Sequence, residues 1–223
     1  MLSKENVLDK ANKTLAGMVQ VLEDLEDLSL NDVKPDETVL AVMDMINGFA
    51  REGPLQSPRV EAIIPEVARL VKSCKEKSIP VLAFADSHPP ESPEFESYPP
   101  HSVEGTSESE IVDEIKEIGG YERIPKRSTN GFHEPKFLKW LKDNDQIKNW
   151  IVVGNATDIC VYQFATTIRT YSIARERDNR VIVPMPAVNT FDDGGLHQAD
   201  LIHVVFLHSL LGNGIEVVSK VTV

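Results

Sequence analysis

Residues 149–160, NWIVVGNATDIC, join a buried strand to a helix. The run from Trp150 to Val153 is apolar and rich in β-branched side chains, which is typical of a strand covered on both faces. A helical pattern follows from about Ile159 to Arg175, so Cys160 lies where that helix begins. A buried strand that leads directly into a helix predicts an α/β protein.

The same alternation recurs along the rest of the chain. Three further apolar runs indicate strands, TVLAVMD at 38–44, IPVLAFAD at 79–86 and NRVIVPMPAV at 179–188. Apolar residues at helical spacing lie between or after them at 60–74, 134–145 and 196–210, and we expect Phe137, Leu138 and Leu141 to face inward. Strands separated by helices form βαβ units, which predict a three-layer α-β-α fold with a mainly parallel sheet.

An amphipathic pattern precedes the first strand. Apolar residues recur at alternating steps of three and four, an a/d pattern over about three heptads, at Leu8, Ala11, Leu15, Met18, Leu22 and Leu25. This pattern predicts a helix from about Lys4 to Asp27, which either docks on its own domain or forms a subunit contact in a homo-oligomer. We therefore expect residues 1–36 to form an N-terminal helix and connector, and residues 37–223 to form one domain.

Composition excludes several classes of partner. The chain has 223 residues, 41% of them hydrophobic, and a formal net charge of −12, which disfavours nucleic acid and anionic membranes as partners. Its apolar runs fall short of the roughly 18 residues of a membrane span, and its N-terminus lacks a signal-peptide pattern. Two cysteines are too few for a disulfide framework, so we expect a reduced, cytoplasmic protein.

Polar residues follow the ends of the predicted strands. Asp44 follows the first strand, Asp86 and His88 the second, and Cys160 the third, while a short edge element carries Lys126. In parallel sheets, ligands bind outside the carboxyl ends of the strands, so Asp44, Cys160 and the Asp86–His88 pair are predicted to converge on one edge. The predicted helix N-terminus is expected to lower the pKa of Cys160 and to favour its thiolate.

One loop is unusually rich in groups that bind metals. Residues 86–101, DSHPPESPEFESYPPH, contain one Asp, two His, three Glu and five Pro. The segment is either an exposed acidic loop or a loop shaped to hold a divalent cation beside an active site. The residues of this segment alone leave both interpretations open.

Four segments together resemble one known family. VMDMINGF at 42–49, ADSHPPESPEFESYPPHSVEGT at 85–106, IPKRSTNGF at 124–132 and VVGNATDICV at 152–161 are similar to segments of the isochorismatase-like cysteine hydrolases, and specifically of the nicotinamidase branch. The resemblance covers roughly residues 38–205, with the catalytic segments in the family's order. It implies the isochorismatase-like hydrolase fold for the domain at 37–223.

The resemblance also implies catalytic roles. Cys160 matches the nucleophile, Asp44 the general base and acid, and Lys126 the third member of the triad. The backbone N–H groups of Ala156 and Cys160 match the oxyanion hole, with a cis peptide bond between Asn155 and Ala156. Such chemistry needs these residue types, because a thiol that attacks an amide must lose a proton and the leaving ammonia must receive one.

Metal and substrate positions follow from the same resemblance. Asp86, His88 and His101 match the metal ligands, and Glu94 matches a fourth ligand found in some members, although spacing leaves Glu96 and Glu91 as alternatives. Imidazole and carboxylate ligands suit Zn²⁺, Mn²⁺ or Fe²⁺. The residues expected to flank a substrate ring are Phe49 and Tyr98, and Thr129 stands where the family often has an aromatic residue that Phe132 could replace.

The implied reaction is the metal-dependent hydrolysis of nicotinamide to nicotinate and ammonia through a thioester on Cys160. Three alternatives stay open: an isochorismatase-type hydrolase, another hydrolase of small amides or ureido compounds, and a catalytically silent scaffold that assembles through its N-terminal heptads. The segment FDDGG at 191–195 and His197 could line the pocket, whereas His203 and His208 are expected to be structural.

Overall fold

The computed structural model describes residues 3–223 and shows a parallel sheet between two helical layers. Within these residues, seven strands form the main sheet, in the order β4-β3-β2-β5-β6-β8 with β7 also paired to β5. Each adjacent pair is parallel. The strands are β2 (Thr38–Met43), β3 (Val81–Asp86), β4 (Glu122–Lys126), β5 (Asn149–Asn155), β6 (Arg180–Pro184), β7 (Val188–Asn189) and β8 (Glu216–Val218). The predicted three-layer, mainly parallel fold is confirmed.

Helices cover both faces of this sheet. Their bounds are α1 (Lys4–Glu23), α2 (Asn47–Ala50), α3 (Pro58–Glu76), α4 (Asp113–Ile118), α5 (Pro135–Asp143), α6 (Tyr162–Ile173) and α7 (Ala199–Gly212). Alternate residues of β2 face opposite layers: Leu40 and Val42 pack with α3 and α4, whereas Val39 and Ala41 pack with α5, α6 and α7. Leu138 of α5, expected to face inward, is 41% exposed, because Phe137 and Leu141 already supply the buried side of that short helix.

The N-terminal segment lies against α7 and then enters the core. Helix α1 ends at Glu23, four residues before the predicted end, and only the part near Leu22 is buried. The connector contributes Leu28, Leu30 and Val33 to the main core, and a short strand, β1 (Leu28–Ser29), pairs with β9 (Val221–Thr222). The division of the chain at residue 36 and a homo-oligomer contact through α1 stay predictions. No helix within residues 3–223 is both long and apolar enough to span a membrane.

Gly154 allows β2 and β5 to approach closely beside the site. Its φ of +108° is rare for residues with a side chain, and a Cβ there would lie 2.0 Å from the carbonyl oxygen of Met43. Met43 is also the residue opposite Gly154 in the ladder and immediately precedes Asp44. A side chain at position 154 therefore has to displace the backbone that carries Asp44.

We expect Gly154→Ala to lower the free energy of unfolding by about 2 to 4 kcal/mol, because strain and overpacking act together. The measurement is urea denaturation. The matched control is Gly17→Ala in α1, since a Cβ at position 17 would meet nothing within 4 Å and helical alanine is favoured by about 1 kcal/mol over glycine. An unchanged unfolding midpoint for Gly154→Ala would contradict the steric argument.

Candidate active site

Two carboxylates and one ammonium meet at the carboxyl edge of the sheet. Lys126, the last residue of β4, is paired in register with Asp86, the last residue of β3. Its Nζ lies 3.0 Å from Asp44 Oδ2, donates a hydrogen bond to Asp86 Oδ1, and also donates to the carbonyl oxygen of Ser128 at 3.1 Å. Asp44 itself follows β2 with a φ of +51°, an uncommon conformation for a residue with a side chain. The predicted convergence of strand ends is therefore present.

Burial makes the charges of this cluster depend on one another. Burial and the neighbouring Asp86 raise the pKa of Asp44 to about 7, although Lys126 opposes them. Burial also acts to raise the pKa of Asp86, but Lys126, His101 and His88 outweigh it and hold that pKa below its usual range. For Lys126, burial acts to lower the pKa, but Asp44 and Asp86 raise it well above the ordinary value. The cluster thus keeps a buried ammonium beside one firmly ionised carboxylate and one that can exchange a proton.

Cys160 lies directly beside Asp44. It follows β5 in a single π-helical turn, Thr157–Val161, that leads into α6, and its thiol lies close enough to the Asp44 carboxyl group for each to shift the pKa of the other. The expected lowering of its pKa is wrong. Burial raises the pKa of the thiol well above its usual value, and Lys126 only partly opposes this effect. The resting form is consequently a thiol that needs a base, and Asp44 is the carboxyl group in contact with it.

The turn before Cys160 is tied to the end of β2. The peptide bond between Asn155 and Ala156 is cis, as the family resemblance implies. The Asn155 side chain donates to the backbone carbonyl of Asp44 at 2.6 Å, and the N–H groups of Ile159 and Val161 both donate to the carbonyl of Ala156. The role of the Ala156 and Cys160 N–H groups as an oxyanion hole stays a prediction.

Four residues of the proline-rich loop converge next to this cluster. Asp86, His88, Glu94 and His101 each offer one ligand atom, and these atoms all lie within 4.8 Å of one another. Glu96 and Glu91, the alternatives to Glu94, are exposed and lie outside this group. The structure thus brings together the four residues named as metal ligands, on a loop whose short helical turn, Pro93–Glu96, directs Glu94 inward.

The chemistry of this group fits a divalent cation. His88 Nε2 is buried without a hydrogen-bond partner, and it faces Asp86 Oδ1 at 3.4 Å and Glu94 Oε1 at 4.0 Å. His101 Nδ1 lies 2.9 Å from the Pro99 carbonyl, which must accept a hydrogen from it, so Nε2 keeps its lone pair for a ligand. Two imidazole nitrogens and two carboxylates are a common ligand set for Zn²⁺, Mn²⁺ or Fe²⁺.

A cavity of about 300 Å³ opens onto both clusters. Its lining includes Cys160, Asp86, Glu94 and His101 together with Phe49 and Tyr98, the two residues expected to flank a ring. Phe49 and Tyr98 lie 5.7 and 6.1 Å from the His101 ring, measured between ring centroids. Thr129 lines the cavity, but Phe132 does not replace the missing aromatic residue there, because it is buried in the core against Phe137 and Tyr171.

One aromatic residue beside the site, Phe95, was not identified from the sequence. It packs edge-on against His88 and His101, at 5.6 and 5.7 Å. Phe191, Asp192 and Asp193 line the cavity, in agreement with the expectation for the FDDGG segment. His197 contacts Asp158 instead of lining the cavity, and His203 contacts Thr157. The only sequence signal for Phe191 was its place after a predicted strand.

Comparison with known proteins agrees with this geometry. A family model, the isochorismatase domain, matches residues 38–212. Nicotinamidase 1 of Arabidopsis thaliana is 29% identical over 250 residues, spanning 100% of this chain and 99% of the relative. A ureidoacrylate amidohydrolase of Pseudomonas savastanoi pv. phaseolicola is 28% identical over 158 residues, covering 58% of this chain and 63% of the relative.

Solved structures share the fold. The pyrazinamidase of Pyrococcus horikoshii, determined in complex with zinc, superposes with a TM-score of 0.67 and 26% identity, over 82% of this chain and 98% of that chain. The family match spans most of the chain and includes Asp44, Lys126 and Cys160, as well as the four-residue cluster. The chain belongs to the isochorismatase domain family and is a hydrolase.

Proposed function

We propose that this protein is a metal-dependent cysteine amidohydrolase that converts nicotinamide to nicotinate and ammonia. The observation that carries the proposal is that the Cys160 thiol opens onto the same cavity as the group Asp86, His88, Glu94 and His101. Lys126 bridges Asp86 of this group to Asp44, the carboxyl group beside the thiol. A thiol, a proton acceptor and a buried cation in contact are the groups that nucleophilic attack on an amide needs.

Acylation begins with proton transfer from Cys160 to Asp44. The sulfur attacks the carboxamide carbon, and the oxyanion that forms is stabilised by the N–H groups of Ala156 and Cys160. Asp44 then returns the proton to the nitrogen, the C–N bond breaks, and ammonia leaves an acyl thioester on Cys160. A carboxyl pKa of about 7 suits a group that has to exist in both protonation states near neutrality. The positive charge of Lys126 favours the thiolate and thereby offsets part of the cost of removing the thiol proton.

Hydrolysis of the thioester uses the same residues. Asp44 accepts a proton from an attacking water molecule, the second oxyanion occupies the same N–H groups, and the C–S bond breaks to release the carboxylic acid. The sulfur recovers its proton from Asp44, so the site returns to its starting state. Lys126 stabilises the thiolate and the Asp44 carboxylate through its positive charge at each stage.

Asp86, His88, Glu94 and His101 would hold the cation, which we propose to be Zn²⁺, with Mn²⁺ and Fe²⁺ as the alternatives. When bound, a divalent cation supplies a Lewis-acidic centre for neutral donors such as a ring nitrogen or a water molecule. His101 also contacts Phe49 and Tyr98, so the ligand loop and the ring-flanking residues are positioned together.

The lining of the cavity favours a neutral, flat amide over an anionic one. Apart from the proposed metal ligands Asp86, Glu94 and His101, its charged residues are Asp192 and Asp193, and no lysine or arginine within residues 3–223 lines it. A substrate that carries its own carboxylate, as ureido acids do, would face these acidic groups without a basic partner. Phe49, Tyr98 and Phe191 instead offer apolar surfaces to an aromatic ring.

Ammonia release from nicotinamide, with and without bound metal, tests this function. We expect turnover by metal-replete protein, its loss after chelation, and its recovery with added Zn²⁺, Mn²⁺ or Fe²⁺. Ureidoacrylate, assayed in parallel, should be a poorer substrate by at least about tenfold, the effect of roughly 1.4 kcal/mol. The absence of nicotinamide turnover in every metal form, with Cys160 still open to alkylation, would keep the cysteine hydrolase and exclude nicotinamide.

We also propose a cytoplasmic location, which is supported by two cysteines that both remain free in the fold.

A further inference from the structure

Phe191 forms part of the cavity wall but belongs to a loop with little packing of its own. It lines the same cavity as Cys160, Phe49 and Tyr98. The residues that follow it, 192–196, are exposed, and the Leu196 side chain is 99% exposed. Something other than core packing therefore has to hold the Phe191 ring in place.

A face-to-face stack with His197 supplies one restraint. The two rings are 4.0 Å apart between centroids and only 3° from parallel. Most other aromatic contacts of residues 3–223 are tilted or edge-on. The stack lies at the two ends of the loop, so the orientation of Phe191 follows that of the His197 ring.

His197 is in turn oriented by both of its ring nitrogens. Nε2 lies 2.8 Å from Asp158 Oδ2, and Nδ1 lies 3.0 Å from the carbonyl oxygen of Phe191. A carbonyl and a carboxylate both accept hydrogen bonds, so an imidazolium ring satisfies both contacts. Burial acts to lower the pKa of His197, but Asp158 raises it above the ordinary value, which agrees with this geometry.

Asp158 connects this loop to the nucleophile. It belongs to the π-helical turn that carries Cys160, and it is largely buried, with 7% of its side chain exposed. Its other oxygen accepts a hydrogen bond from Thr190 Oγ1 at 2.5 Å. The carboxylate therefore holds both ends of the 190–197 loop against the turn that presents the thiol.

We propose that Phe191 is a specificity-determining wall for aromatic amides, and that the Asp158–His197 pair is a positioning device that holds it in register with Cys160. Its selectivity for a ring rests on the proposed function, whereas the effect of Phe191 on access to the Cys160 thiol can be measured without turnover. His197 acts through Phe191, so it is a positioning residue and not a catalytic one.

Steady-state kinetics with nicotinamide give the first test. We expect Phe191→Ala to raise KM about tenfold while kcat stays within about threefold, because the lost contact is with the substrate ring. Phe191→Tyr should restore KM to within about twofold of the wild type. Leu196→Ala is the matched control in the same loop and should change neither constant, because its side chain contacts solvent.

A double-mutant cycle tests the positioning role. His197→Ala should raise KM by about three- to tenfold, and adding it to Phe191→Ala should cause no further loss, because the histidine acts through the ring that is already gone. Asp158→Asn, which breaks the same pair from the other side, should resemble His197→Ala. Additive effects of the His197 and Phe191 changes would overturn the positioning role.

Alkylation of Cys160 gives a test that does not depend on turnover. The probes are iodoacetamide, which has no ring, and its N-phenyl derivative, 2-iodo-N-phenylacetamide. We expect Phe191→Ala to lower the alkylation rate with 2-iodo-N-phenylacetamide about fivefold relative to the rate with iodoacetamide. The iodoacetamide rate itself should stay unchanged. If the wild type does not hydrolyse nicotinamide but the ratio falls in Phe191→Ala, the proposed function is wrong and the role of Phe191 as a cavity wall is supported. If Phe191→Ala changes neither this ratio nor KM, the proposed role of Phe191 is wrong.

Discussion

Cys160→Ala will abolish ammonia release, with a loss of at least about 10⁴-fold in kcat, because the proposed reaction has no covalent route without the thiol. The thiol is the only one in the cavity among residues 3–223, and it lies beside the carboxyl group that we propose accepts its proton. Metal content should stay at the wild-type level, since Cys160 is outside the four-residue cluster. The measurements are ammonia release and metal content of the same preparation.

Cys74→Ala is the matched control for this variant. Cys74 is also buried, but it lies on α3 within the core, where burial raises the pKa of its thiol to about 12. Its replacement should leave kcat and KM within about twofold of the wild type and remove no iodoacetamide-reactive site. Retention of more than about 1% of wild-type turnover by Cys160→Ala would rule out the thioester mechanism.

Lys126→Met will remove activity and stability together. The side chain is fully buried between Asp44 and Asp86, and its loss leaves two buried carboxyl groups without their cation. Removing one partner of such a cluster typically costs about 3 to 5 kcal/mol. A proton on Asp44 would limit that cost but would also prevent the carboxyl group from accepting the thiol proton. We expect kcat/KM to fall by at least about 10³-fold.

Urea denaturation in the presence of a chelator measures the stability of the lysine variant without a contribution from metal. Arg127→Met is the matched control, because Arg127 is adjacent in sequence but 65% exposed, and its charged group lies 3.9 Å from Glu104. Surface changes of this kind usually alter the free energy of unfolding by less than about 0.5 kcal/mol. Lys126→Met with activity within fivefold of the wild type would show that the ammonium has no catalytic role.

Local patterns were sufficient to predict most of the fold. The apolar runs at 38–44 and 149–155 and the helical spacing at 60–74 can be identified within short windows, because strand and helix periods repeat every two or 3.6 residues. The convergence of Asp44, Asp86 and Cys160 also followed from the sequence, because parallel strands place their carboxyl ends at one edge. The family resemblance added Lys126 to this group. Where burial depends on distant neighbours, as for Leu138, the local pattern was misleading.

Charge states required the tertiary structure. A helix start predicts a lowered pKa for Cys160, but the structure buries the thiol beside Asp44, and loss of hydration outweighs the favourable effect of Lys126. The same holds for Asp44, whose pKa depends on Asp86, 42 residues further along the chain. Desolvation is a property of the surrounding packing, so no short segment of sequence determines it.

The sequence by itself determined the order of the main strands and helices, the polar residues at the strand ends and the ligand-rich loop at 86–101. The tertiary structure alone decided that Glu94 and not Glu96 faces His88, that Phe132 is buried in the core, and that Phe191 stacks on a histidine held by Asp158. The physical reason is the separation in sequence of the residues involved. Backbone periodicity can be identified within a short segment, whereas these contacts depend on where separate loops meet in space.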